Sequence, residues 1–294
     1  MGSTQTDVEV SYDVSNDFFR LWLDERMNYT SAVYESESQS LEAAQLNKLR
    51  ILSDFAKVDA NKRVLDIGCG WGACLEYVAT TRGVKDAVGV TLSRSQAEEL
   101  LARKIPGVSC VVSDFMKWET DQKFDSLISI CMMDHLCSPA EARQGKAVDI
   151  YRAYFKKCWQ HTNPGAWFGL QTILRNRTPR PAPWGALPPG TRKDLEDIYF
   201  CTHVIFPGGL NPRLEDIILA VNPYWEVVQV NTRRKDYSRT TGEWLRRLRQ
   251  HEATIRKTWG DKVFEDYDRY LDTCVRSFDG HYGSLAQYEL RRID

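Results

Sequence analysis

The sequence predicts an α/β fold, in which a Rossmann-like, doubly wound parallel sheet carries N-terminal helices and a helical cap over the carboxyl ends of its strands. Two observations lead to this prediction. Short apolar runs alternate with amphipathic segments between residues 60 and 175, and a glycine-rich turn follows the first run. Such alternation is typical of strand–helix–strand units, whose helices cover both faces of a parallel sheet.

The individual elements follow from this alternation. We predict strands at RVLDIGC (63–69), AVGVTLS (87–93), VSCVVSD (108–114), FDSLISI (124–130) and GAWFGLQTIL (165–174). Helices are predicted at WGACLEYVATTRG (71–83), RSQAEELLARKI (94–105) and AVDIYRAYFKKCWQHT (147–162). Ser93 precedes an amphipathic stretch and is predicted to be an N-cap, because its hydroxyl can accept a hydrogen bond from a helix amide.

Composition and charge narrow the class of protein. The 294 residues include 39 basic and 40 acidic ones, for a net charge of −1, so we expect no nucleic-acid partner. No run approaches the roughly 20 apolar residues of a membrane span, and the first residues lack a signal core. None of the eight cysteines forms a CxxC pair or a zinc-like group. We therefore expect a cytoplasmic protein with no metal and no stable membrane insertion.

The turn DIGCGWG (66–72) differs from the GxGxxG dinucleotide fingerprint. The last of its glycines Gly68, Gly70 and Gly72 comes one residue early, and Asp66 stands before the first. Glycines let the backbone approach a ligand, and helix-start amides attract anions. An adjacent acid suits a ligand that also carries an ammonium group, as S-adenosylmethionine does. A tight turn without a ligand is the alternative for so short a pattern.

Further residues fall where such a cofactor needs them. Thr91 and Gln96 follow the second predicted strand, where ribose hydroxyls find partners, and Asp114 and Phe115 end the third. Asp114 offers an acceptor to the adenine amino group, and Phe115 offers a ring to its face. Together with the glycine turn, these residues make methyl transfer from S-adenosylmethionine the leading interpretation.

At this point the chain resembles a known family, the cyclopropane-fatty-acid-synthase-like methyltransferases, and within it the natural-product C-methyltransferases. The resemblance runs from about residue 11 to the C-terminus. Its motifs stand here as SYDVSNDFFRLWL, MNYTSAVY, LEAAQLNKL, LDIGCGWG, GVTLSRSQ, CMMDHL, IFPGG and KDYSRTTGEW. It implies a class I methyltransferase fold, with S-adenosylmethionine as cofactor and S-adenosylhomocysteine as product.

The resemblance also implies positions for the cofactor pocket. Tyr29 and Thr30 are expected to join Gly68, Thr91, Gln96 and Phe115 there, with the N-terminal helices closing over them. We expect Leu92 and Ile130, each near the end of a predicted strand, to line the same pocket.

We expect one domain over residues 1–294. It begins with an N-terminal helical cover (7–58) and a cofactor-binding core (60–175). A cap that contacts substrate (176–272) and a C-terminal strand returning to the sheet (273–294) complete it.

The resemblance makes four positions informative about the reaction. In cyclopropane synthases a bound bicarbonate deprotonates the newly added methyl so that the ring closes, and a Cys, a Glu, a His and a Tyr hold that anion. The matching residues here are Ser31, Asp134, Gln171 and Tyr237. A neutral amide can neither carry a positive charge nor accept a proton, and Asp is one methylene shorter than Glu. We therefore do not expect bicarbonate to bind.

The reaction we expect is carbon methylation of an alkene, such as a prenyl group, in a hydrophobic natural product. The first alternative is N-methylation of an amine, in which Asp134 and His135 would act on the amine. Cys131 stands where the N-methyltransferases tend to carry a further acid, which favours carbon methylation. A lipid cyclopropane synthase and a non-catalytic cofactor-binding relic are the remaining alternatives. A homo-oligomer is expected to be possible.

An apolar substrate would need apolar walls. We expect Met132 and Met133 to shape a soft pocket, although core packing would explain them equally well. Phe200 and Phe206 are expected to contact the substrate. Among the other cap aromatics, Trp184 and Tyr199 are further candidates that could stabilise a developing cation.

Overall fold

The computed structural model describes residues 14–176, 187 and 189–294. Its centre is a sheet of seven strands among these residues: β1 (Arg63–Ile67), β2 (Asp86–Thr91), β3 (Val108–Val112), β4 (Phe124–Ile130), β5 (Thr162–Arg175), β6 (Trp225–Thr232) and β7 (Gly283–Arg292). They lie side by side in the order β3-β2-β1-β4-β5-β7-β6.

Helices surround this sheet. They are α1 (Asn16–Arg20), α2 (Leu41–Phe55), α3 (Ala73–Thr81), α4 (Arg94–Ala102), α5 (Pro139–Arg143), α6 (Ala147–Gln160), α7 (Pro189–Phe200), α8 (Leu214–Val221), α9 (Arg234–Gln250), α10 (Glu252–Trp259) and α11 (Asp261–Asp279). A 3₁₀ turn spans Met133–His135, and a π-helical turn spans Cys201–Ile205. Ser93 caps α4 as predicted, because its Oγ accepts from the Gln96 amide at 3.3 Å.

The sheet is wound in two directions from its middle. β1 pairs in parallel with both β2 and β4, while β3 and β5 extend the parallel pairing on either side. β7 is antiparallel to both β5 and β6. The chain thus reverses its direction of winding between β1 and β4, and in open α/β sheets ligands bind outside the strand ends at such a point. The predicted fold class is confirmed.

Apolar side chains fill both faces of the sheet. On one face Phe155 of α6 and Trp225 of β6 pack around Phe168 of β5, and all three rings are buried. A second cluster, rich in aromatic rings, joins the N-terminal helix α1 to the cap helices α9 and α11, with Trp22 and Trp244 fully buried. This second cluster holds the cap over the carboxyl ends of the strands.

Several predicted boundaries differ from the structure. Within residues 14–58, the part of the predicted N-terminal cover that the structure describes, the chain is helical only at α1 and α2, and residues 21–40 between them are irregular. The predicted cap (176–272) includes β6, which belongs to the sheet, and residues 273–279 end helix α11 before the last strand begins. β6 is an edge strand, and its polar residues Glu226, Gln229, Asn231 and Thr232 weaken its apolar signal.

Candidate active site

A cavity of about 450 Å³ opens at the carboxyl ends of the parallel strands. This volume lies within the range of small-molecule and cofactor sites, about 300–1,000 Å³. We call one side of its wall the cofactor half; it is lined by residues 27–30, 66, 68–71, 73, 74, 90–92, 96, 113–116 and 130. The other side, the substrate half, is lined by residues 131, 132, 134–136, 173–175, 198, 201, 202, 206, 209–211, 237, 270, 273, 274, 277, 278, 282 and 283.

Most of the predicted cofactor residues meet in the cofactor half. The wall contains Tyr29, Thr30, Asp66, Gly68, Gly70, Thr91, Leu92, Gln96, Asp114, Phe115 and Ile130. Gly72 is the exception, since it lies outside the wall. A Cβ at Gly72 would collide with the side chain of Leu100, so this glycine serves the packing of α3 against α4.

The glycine turn brings backbone close to the cavity. Gly68 has φ +82°, and a Cβ there would lie 2.8 Å from the Cβ of Met132, so only glycine fits. The amides of Gly68 and Cys69 both donate to the Val90 carbonyl, at 2.8 and 3.1 Å. These two amides are therefore engaged inside the protein, and a ligand carboxylate would have to meet other donors of the turn.

Asp66 is the most unusual group of the cofactor half. It is the last but one residue of β1, with 1% exposure, and its Oδ2 has no hydrogen-bond partner among the described residues. Burial raises its pKa to about 7, while the nearby charge of Lys48 acts in the opposite direction. A buried carboxylate oxygen without a partner is costly, and a ligand ammonium group would supply the missing donor.

Lys48 was not among the residues we predicted for the site. It is fully buried on α2, and its Nζ donates to Asn28 Oδ1 at 2.8 Å and to Thr30 Oγ1 at 2.9 Å. Burial lowers its pKa to about 8. Asn28 is tied in turn to Asp24 through its own amide group. A lysine inside the apolar pattern of α2 was the available signal, since lysine is rarely buried without a partner.

The remaining cofactor residues lie at the ends of β2 and β3. Thr91 and Gln96 are both buried, with the Thr91 hydroxyl 3.4 Å from Gln96 Oε1. Asp114 accepts from the Met116 amide at 2.9 Å, and Phe115 beside it is 5% exposed. Thr91 and Gln96, predicted to meet the ribose, and Asp114 and Phe115, predicted to meet the adenine, thus line the same side of the cavity.

The substrate half is mainly apolar and aromatic. Ile173 and Leu174 come from the end of β5, Phe206 follows the π-helical turn, and Tyr270 and Phe278 come from α11. Sequence reasoning missed the residues that α11 contributes; they are Tyr270, Thr273, Cys274, Ser277 and Phe278. Their spacing of three and four residues was the available signal, because such residues share one face of a helix.

Comparison with known proteins agrees with this geometry. The family model described as mycolic acid cyclopropane synthetase matches residues 2–288. The chain belongs to this family. It is 30% identical to the S-adenosylmethionine-dependent methyltransferase UmaA of Mycobacterium tuberculosis over 285 residues, which cover 96% of this chain and 95% of UmaA.

Solved structures support the same conclusion. The cyclopropane synthase MmaA2 of Mycobacterium tuberculosis superposes with a TM-score of 0.85 at 25% identity, covering 99% of each chain. Coclaurine N-methyltransferase, bound to N-methylheliamine and S-adenosylhomocysteine, has a TM-score of 0.76 at 18% identity, covering 95% of this chain and 79% of that one, and shows the fold alone. Membership in the cyclopropane synthetase family confirms both the predicted resemblance and the prediction of an enzyme. The assignment to a natural-product branch remains a prediction.

Two of the four positions matched to the family's anion site lie behind the cavity wall. Gln171 and Ser31 are both fully buried and outside it. Gln171 Oε1 accepts from Gln287 Nε2 at 2.9 Å, and Gln171 Nε2 lies 3.5 Å from the Ser31 carbonyl. The Ser31 hydroxyl donates to the Ala32 carbonyl at 3.0 Å. Both side chains are thus occupied by internal hydrogen bonds.

The other two positions, Asp134 and Tyr237, face the cavity. Asp134 Oδ1 accepts from the Thr172 hydroxyl at 2.6 Å, and burial raises the pKa of Asp134 to about 8. Tyr237 stacks on Phe278 with ring centroids 4.3 Å apart. His135 also lines the cavity, and burial lowers its pKa to about 4, so its imidazole is neutral at neutral pH.

The residues predicted for an apolar substrate are only partly brought together. Met132 and Phe206 line the cavity. Met133 is fully buried in the core beneath it, and Phe200 lies under the Arg269 guanidinium, 4.2 Å from its ring centroid, outside the wall. Tyr199 is 61% exposed, which places it on the surface.

Other sequence-based expectations concern groups outside the cavity. Trp184 lies outside the described residues. All eight cysteines are described, and each is a free thiol. Across residues 14–176, 187 and 189–294 we find no cluster of His, Cys, Asp or Glu arranged to hold a metal, and no helix of sufficient length and apolarity to cross a membrane.

Proposed function

We propose that this enzyme transfers a methyl group to a carbon atom of an alkene in a hydrophobic small molecule, such as the prenyl group of a natural product. As a member of its family it is an S-adenosylmethionine-dependent methyltransferase, so the predicted cofactor is confirmed at the level of the family. The substrate and the methylated atom are the proposed part.

The residues of the cofactor half fit S-adenosylmethionine. Asp66 offers a buried, unpartnered carboxylate oxygen to its ammonium group, and Thr91 with Gln96 offers partners to ribose hydroxyls. Asp114 and Phe115 supply an acceptor and an apolar face for adenine. When bound, the cofactor supplies an electrophilic methyl group. We propose that these residues hold and orient it.

The single observation that carries the proposal is the internal hydrogen bonding of Gln171. Its amide oxygen accepts from Gln287, and its side chain lies behind the cavity wall, where it cannot hold an anion. With Ser31 likewise occupied, only Asp134 and Tyr237 of the four matched positions reach the cavity. Asp134 is also one methylene shorter than the Glu to which the resemblance matches it. This supports a reaction that ends without ring closure at the new methyl.

The walls and His135 suit the cation that alkene methylation creates. Adding a methyl group to one carbon of a double bond leaves a positive charge on the other. Phe206 and Tyr270 offer aromatic faces to that charge, worth about 0.5–2 kcal/mol. Loss of a proton from a neighbouring carbon to the neutral imidazole of His135 would then restore a double bond.

Amine methylation and cyclopropane formation remain alternatives. The first needs the amine to arrive deprotonated, which neutral His135 could also support. The second fits the names of the relatives as well as our proposal does. Cys131 lines the cavity where a further acid would favour an amine, and burial raises the pKa of its thiol well above the usual range, so it carries no charge.

The decisive experiment uses S-adenosylmethionine with a fully deuterated methyl group. The enzyme is offered olefinic lipids, prenylated indoles and amines, and the product masses are read. Three retained deuteriums on a methylated alkene are expected. Loss of one deuterium would mean that the new methyl is deprotonated, as in ring closure. Three deuteriums on an amine would replace the proposal by N-methylation, and no product from any class would favour a relic.

A matched pair of variants tests the proton acceptor. His135→Asn should lower the rate of alkene methylation at least tenfold, while His281→Asn, at an exposed histidine outside the cavity, should leave it unchanged. Equal rates for the wild type and His135→Asn would remove His135 from the mechanism.

The expectations about location and assembly remain predictions. A cytoplasmic location and a possible homo-oligomer are consistent with the free thiols and balanced charge of the chain, and the apolar walls suit a hydrophobic partner molecule. Fractionation of the native cells and light scattering of the purified protein would test them.

A further inference from the structure

Arg175 is a cation in the otherwise apolar part of the cavity wall. It is the last residue of β5, next to Ile173 and Leu174, and it is half-buried. Its backbone amide donates to the Pro212 carbonyl at 3.0 Å, and its Nε donates to the Asn211 carbonyl at 2.9 Å. These two bonds fix the guanidinium at the cavity, while its Nη atoms have no acceptor among the described residues.

A second guanidinium stands behind the first. The Nε of Arg213 is buried and has no hydrogen-bond partner among the described residues. Burial and the charge of Arg213 both lower the pKa of Arg175, and Asp216 opposes them only at a distance. Within the described part of the chain, no carboxylate lies within 4.0 Å of either guanidinium.

Two acids, Glu215 and Asp216, follow Arg213 in the first turn of α8. Neither comes within ion-pair distance of the Arg175 or the Arg213 guanidinium, and Asp216 acts on Arg175 only through its charge. Two like charges at one end of an apolar cavity cost free energy unless an anion joins them. A guanidinium presents a planar pair of donors that matches a carboxylate or a phosphate.

The three carboxylates in the wall make this end distinct. Asp66 lies near the end of β1, Asp114 follows β3, and Asp134 follows β4. Each of them, when ionised, repels an anion, whereas Arg175 attracts it. An amphiphilic substrate is therefore oriented by charge, with its anionic group at Arg175 and its apolar part along the aromatic wall.

We propose that Arg175, supported by Arg213, binds an anionic group of the substrate, a carboxylate or a phosphate, so that the substrate is an anionic amphiphile. The identity of its apolar part as an alkene rests on the proposed function. The anion site itself rests only on the two arginines and can be tested without any methyl transfer.

The test measures binding of saturated ligands, which cannot be methylated. Decanoate, decyl phosphate and 1-decanol are titrated calorimetrically into the enzyme saturated with S-adenosylhomocysteine. We expect at least one of the two anions to bind about tenfold more tightly than 1-decanol, and the tighter anion identifies the headgroup. Equal affinity for all three ligands would overturn the proposal.

Variants test whether Arg175 causes the preference for an anionic ligand. Arg175→Gln should weaken binding of the preferred anion about tenfold and that of 1-decanol less than twofold, and Arg175→Lys should recover part of the loss. Arg143→Gln, at an exposed arginine outside the wall, should change neither. Equal weakening of all three ligands by Arg175→Gln would show a merely structural role.

A second variant and a second readout separate the possible failures. Should Arg175→Gln not fold, Arg213→Gln is titrated in its place and should weaken anion binding about threefold, since that charge lies behind the first. S-adenosylhomocysteine binding should be unchanged in either variant. Methylation of a neutral alkene, followed by mass, tests the proposed function separately, so its failure would leave the binding result intact.

Discussion

The two halves of the cavity differ in how the chain builds them. The cofactor half comes mostly from residues at or directly after the ends of strands β1, β2 and β3, and each piece is short and local. The substrate half gathers the turn after β4, the end of β5, the turn after α7, and one residue of α9 with a face of α11. Strand ends are positioned by the sheet itself, whereas the substrate half depends on how helices pack over it.

Because of this difference, we expect the two halves to respond differently to substitutions. A strand-end turn has little freedom, because the sheet fixes both its backbone and its neighbours. Helices such as α9 and α11 can move slightly, or accept different side chains by substitution, while the sheet keeps its structure. We therefore expect substitutions in the cofactor half to act on cofactor affinity, and those in the substrate half to act on ligand choice and pH dependence.

The largest expected effect is that of Gly68→Ala. The new Cβ would meet Met132 at 2.8 Å in a backbone conformation with φ +82°. A left-handed conformation alone costs about 1–2 kcal/mol, so we expect the Kd for S-adenosylmethionine to rise about 30-fold or more. Calorimetric titration measures it.

Gly165→Ala is the matched control for this variant. Its φ of +76° is similar, but a Cβ there meets nothing within 4 Å. It should reduce the free energy of unfolding by about 1 kcal/mol and leave cofactor affinity unchanged. Equal Kd values for the two variants would show that the glycine turn is not the rigid part of the site.

Lys48→Met should have the next largest effect. It removes the donor to Asn28 and Thr30 and the positive charge that lowers the pKa of Asp66. One buried and one partly buried acceptor lose their partner, at a cost of about 2–3 kcal/mol in unfolding free energy, and the Kd for S-adenosylmethionine should rise about tenfold. Denaturant titration and calorimetry check the two values.

The control for Lys48 is Lys262→Met, at an exposed lysine paired with Asp266 on α11. It should change the unfolding free energy by less than about 0.5 kcal/mol. An unchanged cofactor Kd in Lys48→Met would mean that this lysine only stabilises the fold.

Asp134→Asn tests the substrate half through pH. The folded pKa of Asp134 is raised to about 8, whereas an unfolded aspartate titrates near about 4. Between these values the folded state holds a proton that the unfolded state has lost, so stability falls as pH rises from 4 towards 8. Asparagine removes this titration, and the variant should gain about 1 kcal/mol or more relative to wild type across that window.

Thermal unfolding at several pH values measures this difference. Asp149→Asn, whose aspartate side chain is 81% exposed, should follow the wild-type profile. Parallel profiles for wild type and Asp134→Asn would show that Asp134 titrates in its ordinary range and stays ionised beside the substrate.

The two halves also differ in how far the sequence could predict them. One motif and one strand-end rule predicted residues of the turn 66–72 and the residues after β2 and β3, and the structure brings most of them to one cavity wall. Gly72 lies outside that wall, since it packs against Leu100 of a helix that the motif does not describe. Lys48 was missed because its hydrogen bonds cross from α2 to residues 28 and 30.

The substrate half depends on contacts between distant segments. Phe200 was expected in the cavity wall. It is the last residue of α7, and its ring lies against the Arg269 guanidinium, outside the wall. Phe278 was missed because residues 273–294 were expected to form the C-terminal strand, and Tyr270 was missed because no pattern singled it out within the predicted cap. Helix orientation over a sheet is set by tertiary packing, which local patterns do not record.

The smallest expected effect concerns the hydrogen bond beneath the substrate half. Gln287 Nε2 donates to Gln171 Oε1 at 2.9 Å, and both residues are fully buried. Gln171→Met and Gln287→Met each leave one buried amide short of a partner, and the double variant leaves none. A double-mutant cycle should therefore give a coupling of about 1 kcal/mol in unfolding free energy.

A cycle of Gln171→Met with Gln229→Met, at an exposed residue of β6, should be additive. Additivity in both cycles would mean that Gln171 is not held by Gln287, and its side chain would then be free to turn towards an anion in the cavity.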